Sequence, residues 1–134
     1  MNDFFYRRLT GLAALTAAIG VMMGAFGAHA LKSRISPESL DVLKTGVLYL
    51  FIHALACLLI ANFLHQQTYQ RWLKISGVAF LIGILLFSGS LFLISTREVT
   101  GLTIGTIGIA TPIGGLCFIA GWISLALWGL KTRS

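Results

Sequence analysis

Few side chains in this sequence could move a proton or hold a ligand. His29 closes the apolar stretch GAFGAHAL (24–31), and Tyr49 and His53 stand at i and i+4, one turn apart on a single helix face. Imidazole titrates near neutral pH, so it can relay protons, and its ring nitrogens can ligate a metal or a haem. Ser88, Ser90 and Thr111 add hydroxyls within otherwise apolar surroundings. Spacing limits the chemistry open to them. A haem between His29 and His53 needs rings at one depth, whereas their depths differ by roughly 9 Å by helix rise. His53 and Cys57, again at i and i+4, supply two metal ligands and no third nearby. No apolar segment carries paired carboxylates, and no serine has a histidine partner at a telling spacing. The residues therefore read as a non-enzyme with no metal and no cofactor. The sharp reading of the group is a ligand or ion site, and the plain one is a polar network whose members satisfy one another.

The elements that position these residues follow from composition. Of 134 residues, 57% are hydrophobic and 10% charged, with mean hydropathy +0.89. Such a chain has too little polar surface for a water-soluble globule. Four uncharged apolar runs are long enough to cross the hydrocarbon layer as helices, which takes about 18 residues or more. They cover residues 9–31, 45–64, 75–96 and 112–130. Ser36-Pro37-Glu38 has the form of an N-cap, a first-turn proline and an early acid, so the second helix begins as an interfacial turn near Pro37. The stretch VTGLTIGTIGIAT (99–111) alternates glycine with β-branched residues and is a poor helix former. It reads as a hydrophobic loop or re-entrant segment, with Pro112 opening the fourth helix. The fold class is all-α: a four-helix transmembrane bundle forming one integral membrane domain over residues 1–134.

Placed on these spans, the polar residues converge. If the second span starts at Thr45, Tyr49 and His53 lie roughly 6 and 12 Å below its start. His29 ends the first span, Ser88 and Ser90 approach the exit of the third, and Thr111 stands at the entry of the fourth. All four helices thus bring polar groups to one outer third, opposite a mostly aliphatic half. Small residues form a second pattern. Ala13, Ala17, Gly20, Gly24 and Gly27 share a face of the first span, and Gly114, Cys117, Gly121 and Ser124 repeat the device in the fourth. Such faces permit close helix packing, either within the bundle or between copies. His29 sits roughly 160° from the glycine face, unless Gly27 lets the backbone unwind before it.

Charge sets an orientation. With the N-terminus in the cytoplasm, Arg7, Arg8, Arg71, Lys74, Lys131 and Arg133 lie inside, and Lys32, Arg34, Lys44 and Arg97 lie outside. Six against four favours both termini in the cytoplasm. The net charge of +6 is spread along lipid-facing boundaries and builds no nucleic-acid site. Ala28-His29-Ala30 imitates a signal-peptidase site, but the apolar run before it exceeds the usual length of about 7 to 15 residues. Cys57 and Cys117 both fall within spans and suggest no disulfide.

Five ordered motifs resemble a bacterial membrane family: GAFGAHAL (24–31), TGVLY with HALA (45–56), FSGSLF (87–92), TPIGG (111–115) and AGW (120–122). The family is domain of unknown function 423, with distant relatives in the eukaryotic transmembrane protein 256 group. The resemblance covers nearly the whole chain and implies four transmembrane helices in the bacterial inner membrane, with no established activity. This chain departs from it in its long glycine-rich third loop. The function read from the residues is an accessory or membrane-organising bundle in contact with the lipid bilayer, which binds another membrane protein, a second copy or lipid. The competing reading is a small proton or solute carrier with a histidine-lined outer cavity.

Overall fold

The computed structural model describes residues 3–66 and 71–131, which are helical apart from short connections and contain no strand. Arg133, one of the basic residues counted above, lies outside them. Helix α1 (Asp3–Phe26) runs into a π-helical turn (Gly27–Leu31), and α2 spans Pro37–Gln66. The third span comprises α3 (Arg71–Gly83), a second π-helical turn (Ile84–Ser88) and α4 (Gly89–Ser95). A short α5 (Arg97–Thr100) and a loop then lead to α6 (Ile107–Lys131). Four helical segments are long and apolar enough to cross a membrane: Phe4–Leu31, Pro37–Gln66, Arg71–Ser95 and Ile107–Lys131. Helices are the expected solution, because hydrocarbon offers no partner to a backbone N–H or C=O and a helix satisfies them within the segment.

The start of α2 shows the local logic. Ser36 Oγ accepts a hydrogen bond from the Ser39 N–H at 3.2 Å, and Pro37, which has no N–H to satisfy, takes the first helical position. The helix therefore begins eight residues before Thr45. His53 lies sixteen residues after Pro37 and thirteen before Gln66, so it sits near mid-helix and deeper than the outer third expected from a start at Thr45.

Pro112 does not open the last helix. It lies inside α6, which begins at Ile107. Glycine sets this start: Gly101 (φ 71°) ends α5 in the left-handed region, and Gly105 (φ 40°) turns the chain back. Backbone bonds from Ile107 N–H to Ile104 O and from Ile109 N–H to Thr106 O then wind the first turn. Gly108 and the β-branched Ile107, Ile109 and Thr111 are poor helix formers in isolation, but within the bundle they join a helix that packs on the third span. The glycine-rich loop shrinks to residues 101–106.

Helix α1 packs chiefly on α2, and α6 chiefly on the third span, with α2 also against the third span. The core gathers Leu9, Leu50, Cys57, Ile60, Leu73 and Phe80, all at most 2% exposed. Large apolar side chains such as Leu15, Leu59, Leu85, Leu116 and Leu130 point outward, as a lipid-facing surface requires. Several glycines lie against side chains or backbone of a neighbouring helix. A Cβ on Gly20 would come 2.6 Å from Leu50 Cδ2, and one on Gly121 would come 2.5 Å from two atoms of the Phe80 ring. One on Gly27 would collide with Leu43, and one on Gly114 with the backbone nitrogen of Phe87. Gly24 is looser, since its Cβ would meet only Val47 at 3.8 Å. Both small-residue faces therefore close seams inside this chain.

One carboxylate ties the connections together at the end of the bundle where the 32–36 and 96–106 segments lie. Glu98 accepts from the Ser36 N–H (2.8 Å), Ser36 Oγ (2.8 Å) and Ser39 Oγ (2.5 Å). These bonds, Ser39's first, hold its carboxyl below the usual carboxylate range. An anion there also complements the positive end of the α2 dipole.

Candidate functional site

His53 is the only imidazole drawn into the interior among the described residues: it is 3% exposed. Its position on α2 puts Nδ1 2.7 Å from the Tyr49 carbonyl oxygen one turn earlier, which only a donated proton makes favourable. Nε2 is then the acceptor, and Trp122 of α6 donates its indole N–H to it at 3.1 Å. The two bonds are mutually consistent for one neutral tautomer, Nδ1–H, and they occupy both ring nitrogens. The ring stacks on Phe118 with centroids 3.5 Å apart and planes at 7°, and meets Phe80 edge-on at 5.1 Å. Phe118 and Trp122 are at i and i+4 on α6, so one face of that helix supplies both the stack and the donor.

The second π-helical turn completes the surroundings. It presents Phe87, whose ring lies 4.7 Å from that of Tyr49 and 5.5 Å from that of Phe118. The adjacent Ser88 points elsewhere, donating to the Gly46 carbonyl at 2.8 Å. Turns of this kind widen the helix by one residue and re-aim the side chains around them. Between Tyr49, His53, Phe87, Phe118 and Trp122 a recess of about 510 Å³ opens on the flank of the bundle, edged by Ile52, Leu116 and Ile119. Tyr49 and Trp122 are 38% and 44% exposed, so the recess is reached from the lipid side. No charged residue lines it.

The residues singled out in the sequence are dispersed over several places. Tyr49 and His53 share the recess. Ser90 and Thr111 bond each other at 2.7 Å, with Ser90 also bonded to the Phe87 carbonyl, and this pair joins α4 to α6. Ser88 braces α2 as described. His29 stands apart: it is exposed on the first π-helical turn and has no hydrogen bond or ring contact with the others. Polar groups are not confined to one end either, because Ser76 Oγ donates to the Gly121 carbonyl at 2.8 Å on the α3–α6 seam.

Three contributors escaped the sequence reading. Trp122 carried a usable signal, since an indole N–H within an apolar span must find an acceptor. Phe118 carried none, because an aromatic residue in such a span is ordinary. Glu98 was legible only jointly with the Ser36 cap, as a carboxylate and a helix start in need of an anion. His53 has no free lone pair for a metal or haem, and no group of three His, Cys, Asp or Glu residues capable of holding a metal occurs among the described residues. Cys57 Sγ lies 3.9 Å from the Gly77 carbonyl, and neither cysteine is in a disulfide.

Comparison with known proteins gives one consistent result. Residues 23–115 match a family described as "Protein of unknown function (DUF423)". The UPF0382 membrane protein YwdK of Bacillus subtilis is 36% identical over 120 residues, covering 90% of this chain and 94% of the relative. A UPF0382 membrane protein of Haemophilus influenzae is 37% identical over 123 residues, with 92% and 94% coverage. The UPF0382 inner membrane protein YgdD of Escherichia coli is 31% identical over 121 residues, with 90% and 88% coverage. No solved structure matches.

Proposed function

The chain belongs to the DUF423 family of membrane proteins, and from that premise we propose that it is a non-enzymatic bundle binding a neutral, membrane-dissolved amphiphile in the recess beside His53. One observation carries this reading. The recess is apolar, aromatic and open toward lipid, and it contains one hydroxyl, Tyr49 Oη, with no hydrogen bond to a described residue. Sites for small apolar ligands have this form: apolar walls and one or two placed polar groups. A ligand with a flat or alkyl body would lie between Phe87, Phe118 and Trp122, and its single polar group would meet Tyr49. His53 sets the shape by fixing Trp122 and Phe118 rather than by exchanging protons.

The other candidate occupants have less support. The glycine faces that could bind another membrane protein are filled from within the chain, as Gly20, Gly27, Gly114 and Gly121 show. A proton carrier needs a titratable group with a free site and a successor, whereas both His53 nitrogens are engaged. The six-to-four distribution of basic residues supports an orientation with both termini in the cytoplasm.

Photolabelling tests the proposal. Protein in lipid nanodiscs is labelled with a diazirine-bearing diacylglycerol and mapped by mass spectrometry. Enrichment is expected at Tyr49, Ile52, Leu116 and Ile119 over Leu59 and Leu85, which are 60% and 73% exposed, and it is lost when Gly115→Leu fills the recess. Uniform labelling of all six, or enrichment indifferent to Gly115→Leu in a folded protein, overturns it.

A further inference from the structure

A second recess, of about 440 Å³, lies between α1 and α2 on a different part of the bundle and shares no residue with the one beside His53. Its walls are Gly24, Gly27 and Ala28 from α1 and its π-helical turn, and Leu40, Leu43, Val47, Leu48 and Phe51 from α2. Two lysines complete the lining: Lys32, just beyond the end of the first span, and Lys44, two turns into α2. Gly24 explains why the space persists. Where Gly27 closes tightly on Leu43, a Cβ on Gly24 would meet only Val47, at 3.8 Å, which leaves room beside it.

The charge arrangement is specific. No acid lines the groove. Lys32 makes no ion pair among the described residues, and Lys44 pairs at 3.1 Å with Asp41, with both side chains highly exposed. An exposed i,i+3 pair of that kind is weak and exchanges readily for a stronger partner. Glu98, the acid from the neighbouring connection, is committed to Ser36 and Ser39. The two lysines thus line the part of an apolar slot nearer the 32–36 connection; on α2 the slot runs from Leu40 to Phe51, and about 10 Å of it lies beyond Lys44. A molecule complementary to that pattern has a negative head and an apolar chain that descends into the membrane beside it.

We infer that this groove is a binding site for one anionic phospholipid, with the phosphate held by Lys32 and Lys44 and an acyl chain lying along Gly24, Val47 and Phe51. The site is independent of the recess beside His53, which no charge lines. Its effect on the protein is to seal the looser of the two helix seams with lipid where side chains leave it open.

Native mass spectrometry of the detergent-purified full chain tests this, using phosphatidylglycerol and phosphatidylcholine of identical acyl composition as probes. One phosphatidylglycerol is expected to be retained in preference to phosphatidylcholine. The Lys32→Gln/Lys44→Gln variant should lose that preference by about ten- to thirty-fold, the scale of two lysines near an anionic headgroup. Lys32→Arg/Lys44→Arg should keep it. Val47→Trp, which fills the slot and leaves the lysines in place, should abolish retention of the single lipid. Both lysines are exposed, so the charge variants should fold, and circular dichroism checks that they do. Equal retention of the two lipids by the wild type overturns the inference, as does a preference unchanged by the glutamine variant. Competition by inorganic phosphate together with indifference to Val47→Trp also overturns it, because a bare anion site would then suffice.

Discussion

The two long helix seams are built from the same residue type and differ in what the glycines meet. Between α1 and α2, Gly20 and Gly27 approach the branched ends of Leu50 and Leu43, groups that can rotate away, and Gly20 also comes 3.0 Å from the tip of the Phe51 ring. Between the third span and α6, Gly114 lies on the Phe87 backbone and Gly121 on the face of Phe80, while Gly83 receives the Phe118 ring from the other side. Packing drives helix association in lipid, since the solvent is as apolar as the interface. A seam made on backbone, as at Gly114, has no slack. One made on the ends of side chains has some, and the groove around Gly24 is where that slack shows. From the firm seam's α6, Trp122 reaches across to His53 of α2, and the loose seam carries the two lysines.

Substituting glycines one at a time separates the seams most strongly. Gly114→Ala is expected to cost about 2 to 3 kcal/mol, the upper part of the range for overpacking, because its Cβ meets the Phe87 backbone and lies 2.8 Å from the Phe87 Cβ. Gly24→Ala meets only Val47 at 3.8 Å, and the better helix propensity of alanine should leave the protein unchanged or more stable by about 0.5 to 1 kcal/mol. Gly27→Ala should fall between them, since Leu43 Cδ2 can move. Thermal or denaturant unfolding in one detergent ranks the three. If Gly24→Ala destabilises as much as Gly114→Ala, the contrast between seams is wrong.

The part-buried bond from α6 to α2 tests the contrast from a second direction. Trp122→Phe keeps most of the ring contact with Phe80 and removes the donor to His53 Nε2, leaving a buried acceptor unmet at about 1 to 2 kcal/mol. The double variant His53→Phe/Trp122→Phe removes both partners and should recover most of that loss. Recovery in the double-mutant cycle would identify the imidazole as a shaping element. Persistent loss would mean that His53 contributes something beyond the bond.

The same contrast explains what could be read from the sequence. The four spans follow from hydropathy, the α2 start from Ser36-Pro37, and the packing role of the glycines from their 3–4 spacing, because each is a local or single-helix property. The clustering of His29 with His53 was inferred from depth alone. Depth does not fix azimuth, and the π-helical turns at 27–31 and 84–88 shift azimuth in a way that no periodicity of 3.6 anticipates. Pro112 looked like a boundary because proline usually ends helices. Here the glycine turns at 101 and 105 set the start five residues earlier, and the helix tolerates one missing donor near its beginning. Trp122 and Glu98 act across 69 and 62 residues of sequence, and such partners are chosen by packing.

The smallest effect concerns the bridge between the two halves. Glu98 follows the third span and caps α2, so it couples the firm side to the loose one through three hydrogen bonds. Its carboxyl is held below its ordinary value of 4.5, so the folded state favours the ionised form. The sign of the pH dependence follows. Stabilisation by Glu98 is complete above the ordinary value and is lost as pH falls through the lower folded-state value. The group is exposed, and solvent screening keeps the effect small. Glu98→Gln should therefore lower the melting temperature slightly at neutral pH and by progressively less toward the acid end, until wild type and variant converge. Amide hydrogen exchange at Ser36 and Ser39 should accelerate in the variant, while that of α6 beyond Gly114 stays unchanged. A constant difference between the two proteins across the acid range would show that the glutamine perturbs packing, and that the carboxylate charge is not what couples the halves.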